Sequence, residues 1–351
     1  MLDKYKIDSR CNIREAIKQI DNNGEGFVFV VDKNDKVIGL VTDGDFRRAI
    51  LNEVSLDENC MSIANKDFKN VESDSDEREI INIFLQWKID HLPVLESGCL
   101  IHILFRKDFN LSGKVILEKK LNDVSVVIMA GGKGTRMKPF TNILPKPLIP
   151  VGDRSMLEVI MDEYNLYFQS KFHLSVNYKA NLIKAYLEDF ADLYNISYVY
   201  EQIPLGTGGA LKYLEGKIES PFFVSNCDIL IKANYVDIYN DHLIKNNDIT
   251  IVASLIHYKV PYGVCEIENG GELKCMVEKP EYDFLVNAGM YILNPDVLKL
   301  IPENEFYNIT DLIDSVKSIG GKVGVFPVSE NSYSDSGQWE EYRNMLNAVN
   351  N

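Results

Sequence analysis

A glycine-rich, basic segment holds the residues of this sequence that are best suited to chemistry. Residues 130–139 read AGGKGTRMKP, and a second basic stretch, LPKPL, follows at residues 144–148. Glycines that follow a strand let backbone N–H groups approach phosphate oxygens closely, and nearby basic side chains supply positive charge. The segment therefore predicts a cradle for phosphate groups.

Two common phosphate-binding motifs do not fit this segment. A P-loop has the pattern GxxxxGK[ST], but Lys133 is followed by Gly134, and the residue five positions before Gly132 is Val127. A dinucleotide fingerprint, GxGxxG, would need a third glycine where Met137 stands. The residues therefore exclude both motifs.

The elements around the cradle alternate between strands and helices. Residues 124–129 and 222–225 are apolar runs suited to buried parallel strands. Between them, Ser155 and Glu158 have the spacing of a capping box, which predicts a helix with a buried stripe of Leu157, Ile160, Met161, Tyr164 and Phe168. This alternation predicts an open, mostly parallel, Rossmann-like α/β sheet with ligands at the carboxyl ends of its strands.

An internal repeat occupies the N-terminal part of the chain. Residues 37–46 align with residues 100–109 at an offset of 63. Each copy reads helix, strand, turn, strand and an Asp-bearing turn, and the two helical stripes are formed by Ile13, Ile17 and Ile20 and by Ile80, Ile83 and Trp87. We therefore expect α+β copies at residues 1–57 and 58–120, and a separate domain at residues 121–351.

The repeat resembles a pair of CBS domains, small units that associate in twos and often bind adenine nucleotides. Residues 39–45, GLVTDGD, carry most of the resemblance. It implies that Thr42 and Asp45 face the ribose of a nucleotide and that Asp108 is the corresponding carboxylate of the second copy. The second copy departs from the pattern, with His and Phe where the first has Gly39 and Thr42. Two interpretations stay open: a nucleotide sensor, and a purely architectural pair that dimerises the chain.

Composition and charge limit the classes of partner. Apolar residues make up 46% of the chain, yet no window approaches the ~20 apolar residues that cross a bilayer. A net charge of −15 argues against nucleic acid and anionic membranes, although local basic residues would still bind a small anion. The cysteines form no CxxC pair and the histidines are dispersed, so neither a zinc site nor a catalytic triad is predicted. The N-terminus lacks a signal-peptide core, which predicts a cytoplasmic protein.

The C-terminal part resembles the sugar-1-phosphate nucleotidyltransferases, also called nucleotide-diphospho-sugar pyrophosphorylases. This family transfers a nucleotidyl group from an NTP to a sugar 1-phosphate and uses Mg²⁺. Short motifs in the family's order carry the resemblance over about residues 124–345: after the GGxGTR loop and PKP come LGTGGA (205–210), NCD (226–228), PYGV (261–264), EKP (278–280), NAG (287–289) and DSG (335–337).

The resemblance implies a role for each matching residue. Arg136 would bind the β- and γ-phosphates, Lys146 the α-phosphate, and Lys279 the phosphate of the incoming sugar. Asp228, which ends a buried strand, and Asp335, which precedes a glycine turn, would share one Mg²⁺. The implied nucleotide-binding residues are Gly131, Gly132, Gly134, Thr135, Gly206, Thr207 and Gly208, and the implied sugar-binding residues are Gly263, Glu278 and Asn287.

Some features of the match leave alternatives open. After Asp335, the family usually has a branched apolar residue and later a Thr, where this chain has Ser336 and Gln338. Residues 201–209, EQIPLGTGG, are more similar to guanylyl-transferring branches than to the thymidylyl branch, which favours GTP and leaves UTP as the alternative. The arrangement of a CBS pair ahead of this catalytic unit resembles that of enzymes that make a GDP-activated amino sugar, so glucosamine 1-phosphate is one candidate substrate and mannose 1-phosphate is a second. A catalytically silent nucleotide-sensing subunit is the competing class, and a homo-oligomer is expected in either case.

Overall fold

A computed structural model describes residues 2–87, 89–109, 121–337 and 342–343. The chain contains two compact units, Met1–Glu118 and Lys119–Asn351. The domain boundary predicted at residue 120 falls within residues 110–120, outside the described residues. Within the described ranges, no helix combines the length and the apolar character needed to cross a bilayer.

The first unit contains two three-stranded sheets with similar topology. In each sheet the first two strands are parallel and the last two are antiparallel. The strands are Lys6–Asp8 (β1), Phe27–Val31 (β2), Val37–Thr42 (β3), Val71–Glu72 (β4), His91–Glu96 (β5) and Cys99–Phe105 (β6), and the helices are Ile13–Asn23 (α1), Asp43–Leu51 (α2) and Glu77–Trp87 (α3). The elements of the second set follow those of the first at nearly the spacing of the sequence repeat.

The two sets share one apolar cluster, and further clusters lie between α1 and the first sheet and between α3 and the second sheet. A single cluster joins β2 with β5 and β6 through Phe27, Phe29, Leu95, Leu100 and Ile103. The stripe of α1 is buried as predicted. In α3 the prediction for Trp87 is wrong, since its side chain is 51% exposed. Trp87 is the last residue of the helix, and its ring lies 4.1 Å from the Nζ of Lys69, a cation–π contact that does not require burial.

The second unit is built on a seven-stranded sheet of order β11-β10-β7-β12-β17-β14-β18. The pairs within it are parallel except that β17 is antiparallel to β12 and β14. The strands of the unit are Leu121–Met129 (β7), Pro150–Val151 (β8), Arg154–Ser155 (β9), Phe168–Val176 (β10), Asn195–Tyr200 (β11), Phe222–Asn226 (β12), Ile229–Ile231 (β13), Ile249–Lys259 (β14), Val264–Glu268 (β15), Glu272–Val277 (β16), Glu281–Leu293 (β17), Val323–Val328 (β18) and Tyr333–Asp335 (β19). The helices are Met156–Tyr167 (α4), Ala180–Glu188 (α5), Tyr235–Lys245 (α6) and Ile309–Ser318 (α7). The predicted open, mostly parallel α/β sheet is confirmed.

Apolar layers on both faces hold this sheet in place. Along β7, Val126 and Ile128 belong to one core cluster, whereas Val127 and Met129 belong to the other. The capping box predicted for α4 is present: the N–H of Ser155 donates to Glu158 Oε2 at 2.8 Å, and the helix buries Leu157, Ile160, Met161 and Tyr164 as predicted. The prediction that Phe168 belongs to this helix is wrong, because α4 ends at Tyr167 and the buried Phe168 is the first residue of β10. Asn226 at the end of β12 is paired with Met129 at the end of β7. The loops that follow these two strands therefore begin side by side.

Candidate active site

A cavity of about 420 Å³ lies at the carboxyl ends of β7 and β12. Its walls come from the glycine-rich segment after β7, the residues after β12 and the turn at residues 204–207. The predicted site residues that line it are Gly131, Gly132, Gly134, Thr135, Arg136, Lys146, Gly206, Thr207 and Asp228. Residues separated by almost a hundred positions in the sequence are thus gathered at the edge of the sheet where ligands were expected.

Arg136 is one of the residues that line this cavity. It lies in a 3₁₀ turn, Thr135–Met137, that begins after Gly134 in the left-handed conformation. The carbonyl of Gly134 accepts hydrogen bonds from the N–H of Met137 at 3.0 Å and from the hydroxyl of Thr141 at 2.9 Å, which fixes the turn. Arg136 is exposed and forms no ion pair with any residue the structure describes. Its five N–H donors are therefore available to bind phosphate oxygens.

Lys146 and Asp228 form an ion pair in the wall of the same cavity. Their side chains are only 12% and 9% exposed. Gly337 lies against the pair: a Cβ added to this glycine would be 2.8 Å from the Nζ of Lys146 and 2.7 Å from Oδ1 of Asp335. Three charged groups thus meet at one point, and only a residue without a side chain leaves room for them.

The carboxylate of Asp335 is held beside that of Asp228. Strands β13 and β19 pair so that Asp335 lies opposite Ile229, and the N–H of Gly337 donates to Asp335 Oδ1 at 2.6 Å. Burial raises the pKa of Asp335, and the negative charge of Asp228 adds to this effect, while the Gly337 N–H and the Lys146 charge oppose it. Two carboxylates this close together favour a cation between them.

These two carboxylates fit a magnesium ion. Mg²⁺ in nucleotide-dependent sites takes one or two carboxylate ligands and completes its octahedral shell with phosphate oxygens and water. In the part of the chain that the structure describes, no group of three or more His, Cys, Asp or Glu side chains is arranged around a common point. A site with two protein carboxylates therefore matches magnesium bound together with a substrate phosphate better than an all-protein metal cage.

The glycine turn at residues 206–209 packs against the chain's own backbone. Gly206 has φ of +79°, and a Cβ there would lie 2.7 Å from the carbonyl oxygen of Tyr307. That oxygen accepts hydrogen bonds from the N–H groups of Gly208 and Gly209, both at 2.9 Å, and Thr207 Oγ1 accepts from the N–H of Ile309 at 3.1 Å. The glycines thus allow a close contact with residues 305–309, and Gly208 is not among the residues that line the cavity. Contact of this turn with a nucleobase stays a prediction.

Four of the residues in the cavity wall received no role from the sequence: Glu201, Asn226, Phe306 and Asn308. Glu201 is 9% exposed, and its carboxylate accepts hydrogen bonds from the hydroxyl of Ser175 at 2.5 Å and the N–H of Leu205 at 3.1 Å. Phe306 is 66% exposed. Glu201 is the first residue of the segment 201–209, on which the preference for GTP was based, so the sequence could have indicated a role for it in nucleotide binding. Phe306 carried only a weak one, an aromatic residue within a polar segment.

The residues expected to bind the sugar lie outside this cavity lining. A Cβ on Gly263 would lie 3.0 Å from Glu278 Oε2, and the N–H of Lys279 donates to the carbonyl of Tyr262 at 3.3 Å. Gly263, Glu278 and Lys279 therefore lie together at the base of the β15–β16 hairpin. Lys279 has φ of +47°, an uncommon conformation for a residue with a side chain and one that is frequent at functional sites.

Asn287, the third residue expected to bind the sugar, lies on β17. Its amide donates to the hydroxyl of Tyr291 at 2.8 Å, and its Oδ1 accepts from the N–H of Gly289 at 3.0 Å. A Cβ on Gly289 would in turn lie 2.6 Å from the amide nitrogen of Asn226, which lines the cavity. Asn287 is thus connected to the cavity wall through Gly289.

In the first unit, Thr42 and Asp45 are in contact. The backbone N–H and the hydroxyl of Thr42 donate to Asp45 Oδ2 at 2.9 and 2.7 Å, which closes the N-terminus of α2, and Arg48 binds Asp45 Oδ1 at 2.5 Å. Asp108 is exposed on a 3₁₀ turn, Arg106–Asp108, of the other set of elements. The Thr42–Asp45 pair has a structural role as a capping box, and a nucleotide at these residues stays a prediction.

The fold and the charged cavity define the class of the protein. The profile of the family described as nucleotidyl transferase matches residues 125–351, which is more than half of the chain. The chain belongs to this family, as its motifs predicted. A CBS domain profile matches residues 3–52 and confirms a CBS domain at the N-terminal end.

Individual proteins show the same likeness. A mannose-1-phosphate guanyltransferase of Aspergillus fumigatus is 36% identical over 188 residues, which cover 51% of this chain and 51% of that protein. A crystal structure of HddC from Yersinia pseudotuberculosis is 28% identical with a TM-score of 0.52, over 64% of this chain and 99% of HddC. HddC has also been solved in complex with GMP-PN, at 27% identity and a TM-score of 0.51. The chain spans about half the length of the curated relatives it matches.

Proposed function

We propose that the chain transfers a nucleotidyl group from an NTP to a sugar 1-phosphate and releases pyrophosphate. One observation carries the proposal: Arg136, Lys146 and Asp228 line a single cavity at the carboxyl ends of the parallel strands. Such a reaction brings several negative charges together, so a site must supply fixed cations and metal ligands at one place. The family membership of residues 125–351 supports the same reaction.

Each positively charged side chain has a different role in this transfer. An oxygen of the sugar phosphate attacks the α-phosphorus, and the bond from that phosphorus to the bridging oxygen of pyrophosphate breaks. Arg136 binds the departing pyrophosphate, and Lys146 stabilises the charge on the α-phosphate. The nucleophile is already an anion near neutral pH, so the site needs positioning and charge stabilisation rather than a general base. Lys279 holds the sugar phosphate.

Asp228 and Asp335 hold Mg²⁺ in this proposal. When bound, the ion neutralises and aligns phosphate oxygens. Replacement of Asp228 by Asn should remove magnesium-dependent turnover and leave the fold of the second unit intact. Turnover of the Asp228→Asn protein at the original rate would remove this assignment.

GTP is the nucleotide that we propose, with UTP as the alternative. Both the chemistry of the cavity wall and the similar proteins support this choice of nucleotide. Guanine presents two adjacent N–H donors on its Watson–Crick edge, and the Glu201 carboxylate, with a free lone pair on each oxygen beyond the bonds to Ser175 and Leu205, is a matching acceptor in the cavity wall. The guanyltransferase relative and the GMP-PN complex of HddC agree with this choice.

Glu201→Gln tests the nucleotide assignment without removing the internal contacts. A glutamine can still accept from the N–H of Leu205, and the Ser175 hydroxyl can reverse its role. If Glu201 binds guanine, the KM for GTP should rise about tenfold or more, since hydrogen bonds to charged groups contribute about 1.5–3 kcal/mol. An unchanged KM for GTP, or UTP as the better substrate of the native protein, would contradict the assignment.

The acceptor is a hexose 1-phosphate held by Gly263, Glu278, Lys279 and Asn287, with glucosamine 1-phosphate and mannose 1-phosphate as the first candidates. Pyrophosphate release, measured for a matrix of GTP, UTP, ATP, CTP and dTTP against several sugar 1-phosphates, tests the reaction and its substrates together. No turnover with any pair would favour the competing class, a silent nucleotide-sensing subunit.

The CBS elements provide a route of regulation by adenine nucleotides, with Thr42, Asp45 and Asp108 as the residues that face the ligand. AMP or ATP should then shift the melting temperature or the rate, and Thr42→Ala should reduce the shift. Asn12→Ala is the matched control, because Asn12 closes a capping box on α1 in the same unit. A shift lost equally in both variants, or no shift with any adenine nucleotide, would favour the architectural interpretation, in which the pair serves a homo-oligomer.

A further inference from the structure

Three residues that directly follow β10, Asn177, Tyr178 and Lys179, contact the loops around the candidate active site. None of the three is among the residues that line the cavity. The Nδ2 of Asn177 donates to the carbonyl of Glu201 at 2.6 Å, and the N–H of Tyr178 donates to the carbonyl of Gly131 at 3.3 Å. Because β10 lies next to β7 in the sheet, its carboxyl end supports the glycine-rich segment from one side.

The side chain of Lys179 binds the loop between Arg136 and Lys146, the two cations of the cavity. Its Nζ donates to the carbonyl of Asn142 at 2.7 Å and to the carbonyl of Ile143 at 2.6 Å. Both carbonyls lie at the end of a 3₁₀ turn. A charged donor at the end of a helical turn stabilises the last carbonyls of that turn, and such charge-assisted bonds are stronger than neutral ones.

This 3₁₀ turn is also bonded to the turn that carries Arg136. The hydroxyl of Tyr178 donates to the carbonyl of Thr141 at 3.1 Å, and the hydroxyl of Thr141 donates to the carbonyl of Gly134 at 2.9 Å. Thr141 is 2% exposed, and a Cβ on Gly134 would lie 2.8 Å from its methyl group. Because Gly134 directly precedes the turn with Arg136, a shift of residues 141–143 would move that turn as well.

The local conformation at Lys179 is unfavourable for a lysine. Its backbone has φ of +52°, in the left-handed region where glycine and asparagine are far more common. The residue also occupies the N-cap position of α5, where its side chain, unlike that of Ser, Thr, Asn or Asp, cannot accept a hydrogen bond from the helix. A positive charge at this end of a helix is in addition disfavoured by the helix dipole. Local costs of this kind are typical of functional positions, and the bonds to the loop are what the lysine supplies here.

We propose that Lys179 is a positioning residue for Arg136. It holds the loop between the two cations, so that Arg136 is in place for the β- and γ-phosphates before the NTP binds. This role rests on the proposed function, in which Arg136 binds the departing pyrophosphate. Lys179 does not touch the substrate. A loop that is already ordered does not have to be fixed during binding or during the reaction, and this lowers the cost of both.

Lys179→Met tests the role by removing the two bonds while keeping an unbranched side chain. The kcat for pyrophosphate release should fall about tenfold or more, since displacement of reacting groups by about 1 Å can reduce a rate by about 10²-fold. The KM for the sugar 1-phosphate should stay unchanged, because Gly263, Glu278 and Asn287 lie on other segments. Lys184→Met, at an exposed lysine of α5, is the matched control and should leave kcat unchanged.

Two further variants separate positioning from a general loss of structure. Lys179→Arg keeps charged donors on a long stem and should restore kcat close to the native value. In an Arg136→Gln background, Lys179→Met should lower kcat by a smaller factor than it does in the native background, because no arginine is left to position. An equal factor in both backgrounds would overturn the proposal.

Hydrogen exchange of the free protein tests the contact itself. The N–H groups of Ile143 and Leu144 both donate to the carbonyl of Phe140 within the turn. They should exchange at least about tenfold faster in Lys179→Met, whereas the amides of β7 should keep their native rates. Native exchange rates at Ile143 and Leu144 in the variant would show that Lys179 does not hold the loop, and the proposal would be wrong. Faster exchange with a native kcat would show that Lys179 stabilises the loop without acting on Arg136, which also overturns the proposal.

A failure of the proposed function would give a different pattern. If the native protein turns over no NTP with any sugar 1-phosphate, nucleotidyl transfer is wrong, and isothermal titration with GTP replaces kcat as the measure of positioning. A Kd for GTP at least about tenfold weaker in Lys179→Met, with a smaller change in the Kd for GMP, would support the role at the β- and γ-phosphates. An unchanged Kd for GTP, or no binding of GTP to the native protein, would overturn it.

Discussion

The ammonium group of Lys146 forms a buried ion pair with the carboxylate of Asp228, although 82 residues separate them in the chain. The pair joins the loop after β7 to the loop after β12, and Asp335 lies beside it. In the reaction that we propose, Lys146 binds a phosphate and Asp228 binds Mg²⁺, so this pair would place the phosphate next to the metal ion.

Lys146→Gln should destabilise the second unit more than Asp228→Asn does. Removing the lysine leaves Asp228 buried beside Asp335 without a counter-charge, and breaking a buried pair in this way costs about 3–5 kcal/mol. Asp228→Asn removes the ion pair with Lys146, but it also removes the repulsion between the carboxylates of Asp228 and Asp335. The loss of unfolding free energy should therefore be smaller. Denaturant unfolding in the presence of EDTA measures both effects. The double variant should lose less unfolding free energy than the sum of the losses of the two single variants. Strictly additive losses would show that Lys146 and Asp228 are not coupled.

Gly337→Ala should reduce turnover strongly with little change in nucleotide affinity. An added Cβ would lie 2.5 Å from Asp228 Oδ2 and 2.7 Å from Asp335 Oδ1, so the carboxylates must move apart. Displacement of reacting groups by about 1 Å can reduce a rate by about 10²-fold. The measurement is kcat for pyrophosphate release over a range of magnesium concentrations. Gly44→Ala in the first unit, where the nearest atom is a flexible arginine tip at 3.4 Å, should leave kcat unchanged.

Phe306→Ala should weaken nucleotide binding. The ring lines the cavity, is 66% exposed, and lies in a segment that backbone hydrogen bonds tie to the glycine turn at residues 206–209. Stacking of a base on such a ring contributes about 1–3 kcal/mol, so the KM for the NTP should rise by about tenfold or more while kcat changes little. Ile319→Ala, at an equally exposed apolar residue after α7, is the control. Equal effects of the two variants would exclude stacking.

The sequence predicted the parts of the site that depend on local patterns. The glycine-rich segment follows the apolar run of β7, and Asp228 follows that of β12. Because β7 and β12 are neighbouring parallel strands, both lie at the same edge of the sheet, as expected. Phe306 and Asn308 could not be assigned in this way. Their position depends on backbone hydrogen bonds between Tyr307 and the turn at residues 206–209, which leave no signature in side-chain types. The antiparallel direction of β17, in the middle of the sheet, could not be predicted either, because hydrophobic periodicity does not distinguish the direction of a strand.

In the first unit, two half-buried groups, His91 and Asp43, have opposite pKa shifts. Burial lowers the pKa of His91 to about 4, from an ordinary value of 6.5, and its ring stacks on Phe27 at 3.7 Å. Burial raises the pKa of Asp43 to about 7, from an ordinary value of 3.8. Between pH 4 and 6.5 the unfolded chain protonates His91 and the native chain does not, so this group makes stability rise with pH. Over the same interval native Asp43 keeps a proton that the unfolded chain releases, so this group makes stability fall with pH.

The two contributions should largely cancel in the native protein, and single variants should separate them. Relative to the native protein, Asp43→Asn should gain up to about 1.4 kcal/mol of unfolding free energy per pH unit as the pH rises from about 4.5 to about 6, because only the His91 contribution remains. His91→Phe, which keeps a ring against Phe27, should lose stability over the same range with the opposite slope. Native-state hydrogen exchange of the β2 amides, corrected for intrinsic rates, measures the difference within this unit. Parallel pH profiles for the native protein and both variants would show that neither group is shifted, since a group with the same pKa in both states gives no pH dependence.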